Sequence, residues 1–236
     1  MTSTIYQNST PKRTIVRVPN PTDNDPVAFK QYLFFENQLT RTSKYFQGEC
    51  GSPWHGAGFR PICIHVAKVP EFDAYGYWLY TKLVFTPSDT GVDRNAPVES
   101  KAKQAYEELL SLYSFGDRLG DTTFMNVVVA NVVNRLRSPI GLPRQFIFTM
   151  TCDKVQNIFT EYPRRSPLHK LIVDAVARFA TEADLQHFLS RNYLAAFKDE
   201  LDLAQGRQLR EMRESKGMDA NKGAMDFGQG LVGYQL

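Results

Sequence analysis

Tyr32-Leu33-Phe34-Phe35-Glu36-Asn37-Gln38-Leu39-Thr40-Arg41-Thr42-Ser43-Lys44-Tyr45-Phe46 is the stretch on which the fold turns. It opens with four consecutive apolar residues and passes through eight polar or charged positions interrupted only by Leu39. It then closes on a second aromatic pair, Tyr45-Phe46. The first run reads as a strand; Leu39, Tyr45 and Phe46 suggest a short helix leading into a loop. Upstream, Thr14-Ile15-Val16-Arg17-Val18 is β-branched and half alternating, a second strand. Between the two runs, Pro19-Asn20-Pro21-Thr22-Asp23-Asn24-Asp25-Pro26 is turn chemistry throughout, because proline fixes φ and Asn/Asp bond their own backbone. The two strands therefore form a hairpin with a long loop.

Working outward, residues 48–58 hold four glycines and a proline and read as irregular. Ile62, Ile64 and Val66 alternate with Cys63 and His65, a period-2 strand with one apolar face. Phe72, Tyr75, Gly76, Leu79 and Tyr80 fall on one helical face. Residues 86–104 are polar and aperiodic, an expected exposed loop. Leu109, Leu112 and Tyr113 begin a helix stopped by Gly120, and Asp121 is placed to cap the next, which buries Phe124, Val127, Val128, Val132 and Leu136. After the break at Pro139 to Pro143, Thr151 or Asp153 caps a helix presenting Val155, Ile158, Phe159 and Tyr162. Ser166-Pro167 starts another, with the stripe Leu168, Leu171, Ile172, Ala175, Val176 and Phe179. A last helical stretch carries Leu185, Phe188, Leu189, Tyr193, Phe197 and Leu201, and beyond Gly206 the chain turns charged, then glycine-rich. A few short strands among helices, then helices alone, make an α+β domain with an all-helical C-terminal extension. The expected division is a disordered N-terminus over 1–13, the α+β domain over 14–137, the extension over 144–205 and a flexible tail over 206–236.

Composition bounds the function classes. With 42% hydrophobic and 22% charged residues, the 236-residue chain is neither disordered nor fibrous in type. No stretch approaches the ~20 apolar residues of a membrane span, and the start of the chain lacks the features of a secretory signal. Cys50, Cys63 and Cys152 are odd in number and widely spaced, which is no disulfide framework and implies a reducing compartment, cytoplasm or nucleus. A net charge of +3 is too small and too dispersed for a nucleic-acid surface, so no direct nucleic-acid partner is expected, and no membrane partner either.

Four segments in order resemble the BTB/POZ family, particularly its fungal members. The stretch from Tyr32 to Phe46 is similar to that family's "F-x-V-H-K-x-x-L-x-x-x-S-x-Y-F" pattern. Phe72 followed by Tyr77-Trp78-Leu79-Tyr80-Thr81 is similar to its "W-L-Y-T-G" helix, and Leu112-Tyr113-Ser114-Phe115-Gly116-Asp117-Arg118-Leu119 to its "L-Y-x-L-G-D-K-L" helix pair. Ile158 to Asp174 looks like the extension of fungal members. The resemblance covers residues 14–178. The family's His-Lys pair stands here as Phe35-Glu36, its "T-G" as Thr81-Lys82, and the aspartate often found before the first strand is missing near Thr14. The resemblance implies recruitment rather than catalysis: a self-associating domain or an adaptor, the homodimer being expected through the N-terminal region, where Thr14 to Phe46 carries a surplus of apolar side chains. The adaptor readings are a substrate adaptor for a cullin-type ubiquitin ligase and a subunit of a transcription-regulatory complex. Family members that bind cullins carry an apolar residue, any residue, then Glu in one loop. The matching positions here are Trp54-His55-Gly56, and glycine supplies no carboxylate, so cullin binding is expected to be weak.

Candidate sites follow from residue chemistry. Cys50, His55, Cys63 and His65 are zinc-type ligands within one short stretch, with Cys63 and His65 on a shared strand face. Their C-x4-H-x7-C-x-H spacing matches no common finger, which favours one half-buried thiol and scattered histidines over a metal site. Gly228-Gln229-Gly230-Leu231-Val232-Gly233 satisfies G-x-G-x-x-G without the strand before and helix after that cofactor binding requires. A small metal- or cofactor-dependent enzyme is the alternative these two features would support, and stoichiometric zinc in the purified protein would favour it. His169 opens a helix and His187 lies on a solvated face; neither neighbours a nucleophile motif, so no catalytic residue and no cofactor are assigned. Of the aromatic residues, 12% of the chain, most have core spacing. Trp54 and Phe59, with His55 between them, sit in the glycine-rich loop and are the expected partner-binding anchors.

Overall fold

A computed structural model describes residues 12–22, 25, 27–52, 60–90, 96–138, 141–162, 166–190 and 193–217. It is a mixed α+β structure, mostly helical, with one small sheet. The described residues form two compact units. The first runs to Val84 and takes in Ser111–Met125; the second comprises Phe85–Leu110 and everything from Asn126. The chain divides within two helices, whereas the expected boundary lay between residues 137 and 144.

The first unit begins with strand β1 (Arg13–Pro19) and strand β2 (Phe29–Phe35), antiparallel with Ile15 opposite Leu33 and Arg17 opposite Gln31. Helices α1 (Glu36–Thr40) and α2 (Lys44–Gly51) follow, then β3 (Ile62–Cys63), parallel to β1, then α3 (Val69–Thr81). The sheet order is β2-β1-β3. On its inner face Val16, Val18, Phe34 and Ile62 are buried, and α3 packs against β1. Around Tyr75 the rings of Phe46, Phe115 and Phe124 lie 6.4, 5.8 and 5.0 Å away, the latter two edge-on, as ring quadrupoles prefer.

This core is pinned by buried polar groups. Asp121, fully buried, accepts hydrogen bonds from Thr42 Oγ1 (2.6 Å), the Tyr75 hydroxyl (2.9 Å) and the Phe124 backbone N–H (3.0 Å). The last caps α5 (Thr122–Arg137), as expected from the sequence. Ser43 Oγ accepts from the Phe46 N–H, capping α2, and donates to the Leu119 carbonyl at 2.8 Å. Gly120 links α4 (Val98–Arg118) to α5 at φ +58°, where a Cβ would also press on Lys44 Cβ at 3.0 Å. Glu71 in α3, nearly buried, accepts from Ser111 Oγ, Arg118 Nη2 and the Lys68 N–H.

The second unit is all helical: the first half of α4, most of α5, α6 (Pro143–Thr149), α7 (Cys152–Glu161), α8 (Pro167–Phe179), α9 (Glu182–Ser190) and α10 (Ala195–Gly217). Ser166 caps α8 by accepting from the His169 N–H, and Thr151 rather than Asp153 caps α7. The stripe Leu168, Leu171, Ile172, Ala175 and Val176 is buried, and α8 packs against α6, α7 and α10.

Several expectations are corrected. Gly48 and Gly51 lie in α2, not in an irregular loop, because the Ser43 cap and buried Phe46 hold the helix despite its glycines. The third strand stops at Cys63; His65-Val66 is a turn, and Val66 is 64% exposed. The expected loop over 86–104 contains a 3-10 turn at Pro87–Thr90 and the first turns of α4, and Thr86 is buried. Residues 206–217 belong to α10 rather than to a tail. The stretch from Leu185 to Leu201 is two helices, not one.

Two substitutions test these anchors. Asp121→Ala removes a helix cap and two hydrogen bonds to a charge and leaves the Tyr75 hydroxyl buried, so urea unfolding should show a loss of about 3 to 5 kcal/mol. Leu171→Ala, at a fully buried position of α8, should cost about 2 to 5 kcal/mol in the same measurement; a change of a few tenths in either would contradict the packing described.

Candidate interaction surface

β2 is the edge of the sheet, and its two rows of side chains meet different surroundings. Its inward row, Lys30, Tyr32 and Phe34, faces α3. Lys30 Nζ binds both carboxylate oxygens of Asp73, at 2.8 and 2.9 Å, and the Tyr32 hydroxyl donates to Asp73 Oδ1 at 2.8 Å. Burial, with Asp73 beside it, pushes the Tyr32 phenol well above its ordinary range. Phe34 is buried against Phe72 and stacks on Tyr80.

The outward row meets solvent. Leu33 is 56% exposed and Phe29 38%, opposite Ile15 and Pro19 of β1. The Arg13 guanidinium lies 5.1 Å from the Phe35 ring, and the ring of Phe29 meets His65 edge-on at 6.2 Å. An antiparallel sheet with one face on the core usually shows water a polar row. Here the outer face sets Phe29, Leu33 and Phe35 beside the polar Arg13, Arg17 and Gln31, so apolar side chains share the face that water reaches.

Of the residues that the sequence puts forward, Cys63 and His65 line one cleft of about 440 Å³ with Tyr45, Glu49 and Arg60. Cys50 lies in α2, near Glu36, Glu49 and Lys12. Cys63 ends β3, its carbonyl accepting from the Tyr45 hydroxyl at 3.4 Å, and His65 is in the turn beside Phe29. His55, Trp54, Gly56 and Phe59 fall outside the described residues, as does the stretch Gly228 to Gly233. Among the described residues, no three His, Cys, Asp or Glu side chains are grouped as metal ligands. His169 is fully buried, stacked on Phe159 at 4.1 Å with Nε2 bonded to the Ile158 carbonyl at 2.9 Å, a structural role in the second unit. His187 is exposed on α9. The groove beside α8 and α10, of about 100 Å³, is crossed by the Arg207–Asp174 ion pair (3.5 Å) and falls below the ~300 Å³ of ordinary ligand pockets. No described helix is long and apolar enough to cross a membrane.

The exposed row was not singled out from the sequence. Phe29, Leu33 and Phe35 stand out only if read at period 2 against Lys30, Tyr32 and Phe34, and aromatics on both faces hide that alternation. No family model, curated protein or solved structure matches the chain.

The environment of Cys50 gives a chemical check. Burial first, then Glu36 and Glu49, raises its thiol to about 11, with Lys12 opposing. At pH 8 the thiolate fraction falls roughly a hundredfold against a free cysteine while nucleophilicity rises about eightfold, so alkylation by iodoacetamide should be about tenfold slower. The rate should climb as pH rises towards 11. A rate matching a free cysteine at pH 8 would mean that the thiol is not held as described.

Proposed function

We propose that the chain is a protein-interaction module on a BTB/POZ-like framework, one that self-associates through the open side of its small sheet. The observation that carries this reading is the outward row of β2, Phe29 and Leu33, apolar and solvent-facing on a unit whose other sheet face packs on α3. The order of elements supports it: a hairpin, two short helices, a third strand parallel to the first, a buried-aromatic helix and a helix pair. So does the place of the residues that carry the resemblance. Ser43 of the "S-x-Y-F" match caps α2 and bonds Leu119 of the "L-Y-x-L-G-D-K-L" match, joining the two segments. Lys82 stands where the resembled pattern has glycine, and it takes the left-handed conformation, φ +61°, that glycine adopts without strain. Its ammonium bonds the Leu79 carbonyl at 3.0 Å and lies 4.6 Å from the Trp78 ring, contacts that offset the backbone cost.

Light scattering on the full chain tests the reading. The expected mass at micromolar concentration is about twice 26.9 kDa, and Leu33→Lys, which places a charge in the exposed row without touching the core, should weaken association by about tenfold or more. A single monomer mass across that range overturns self-association.

A further inference from the structure

The backbone of β2 says how a second copy would attach. In its ladder with β1, the Glu36 N–H donates to the Lys12 carbonyl at 2.9 Å and the Asn20 N–H to the Ala28 carbonyl at 2.8 Å. Hydrogen-bonded and non-hydrogen-bonded pairs alternate in an antiparallel ladder, so Lys30, Tyr32 and Phe34 also turn their backbone groups towards β1. Phe29, Gln31, Leu33 and Phe35 must turn theirs the other way, to the edge. Among the described residues, no backbone hydrogen bond outside the ladder reaches these four.

Open edges are ordinarily guarded by a lysine, a proline or a bulge. β2 has neither proline nor bulge, and its register with β1 is continuous from Phe29 to Phe35. Its one charge, Lys30, points to the inner face and is matched by Asp73. The edge is therefore electrically neutral.

We infer that β2 is a dimerisation edge, to which a second copy adds its own β2 antiparallel about a two-fold axis through Gln31, giving one continuous six-stranded sheet. This rests on the self-association proposed above and specifies its mode. The strand is self-complementary in that register. Phe29 stands opposite Leu33 of the second copy, and Leu33 opposite its Phe29, while the two Gln31 amides meet on the axis. A shift of two residues would set Gln31 against Leu33. On the inner face Lys30 stands opposite Tyr32 of the other copy, repeating the lysine-over-tyrosine contact that exists within the chain at 5.2 Å. Tyr80 of α3, half-exposed and stacked on Phe34, borders the edge.

The test uses the full chain, with sedimentation equilibrium for the dissociation constant and amide hydrogen exchange for the place of contact. The Gln31 and Leu33 amides should exchange more slowly as concentration rises through the dissociation constant. Gln31→Pro removes an outward N–H in each copy while leaving the β1 ladder intact, and should raise the dissociation constant about tenfold. Arg17→Glu, on the outer face of the central strand β1 and away from the β2 edge, should leave it within about twofold. A dimer that tolerates Gln31→Pro, shows no protection at Gln31 and Leu33 and is broken by Arg17→Glu associates through the face of the sheet; that overturns the edge and leaves the proposed function standing. A wild-type monomer overturns both. Should Gln31→Pro fail to fold by circular dichroism, concentration-dependent protection of the wild-type amides decides alone.

Discussion

The carboxylate of Asp121 is the constraint on which the first unit depends. A fully buried charge is tolerable only when its lone pairs are met, and here they are met by three separate segments: the turn between α1 and α2 through Thr42, α3 through Tyr75, and the first turn of α5 through Phe124. Each donor would be left stranded without it, so the three segments assemble together or not at all. With Tyr75 fixed, the burial of Phe72, Trp78 and Leu79 on the same helix follows, and α3 is committed to the inner face of the sheet.

The unequal faces explain the chemistry of β2. Inside, Lys30, Tyr32 and Asp73 form a closed set in which one ammonium, one phenol and one carboxylate satisfy each other. A lysine free to swing outwards would shield the edge by hydration and repulsion; one held by two oxygens of Asp73 does not. The same ion pair that ties β2 to α3 thus leaves the edge uncharged. A single interaction contributes to the fold and to the surface it exposes.

What could be read in the sequence was what depends on one element at a time. The α8 stripe has a single apolar face and an explicit start at Ser166-Pro167, and Asp121 stands directly before its helix, so both were visible from spacing. Features set by a partner element were not. The glycines of α2 disfavour a helix locally, yet the cap from Ser43 and the burial of Phe46 outweigh them. Val66 continues an alternating pattern, but β1 pairs only Val16 and Arg17 with β3, so the strand ends at Cys63. Early α4 and late α10 are polar on most sides, and their helices lack a broad stripe to announce them. The edge position of β2 was hidden for the same reason: whether a strand is central or at an edge is decided by its neighbours, and Asp73 lies 43 residues from the lysine it neutralises.

An open, uncharged edge also raises the question of why association would stop at two. Strand addition propagates when a sheet offers usable edges on both sides, as in cross-β stacking. The sheet here is asymmetric. Its β2 edge is seven residues long, whereas its other edge is the two-residue β3, which offers too few backbone groups to hold a further strand. Pairing β2 with β2 consumes the long edge of both copies and leaves only the short ones at the ends. A two-fold contact of this kind is isologous and closed, each copy using the same patch, so it completes itself at the dimer. On the proposed pairing, the short β3 is thus what limits growth to two copies.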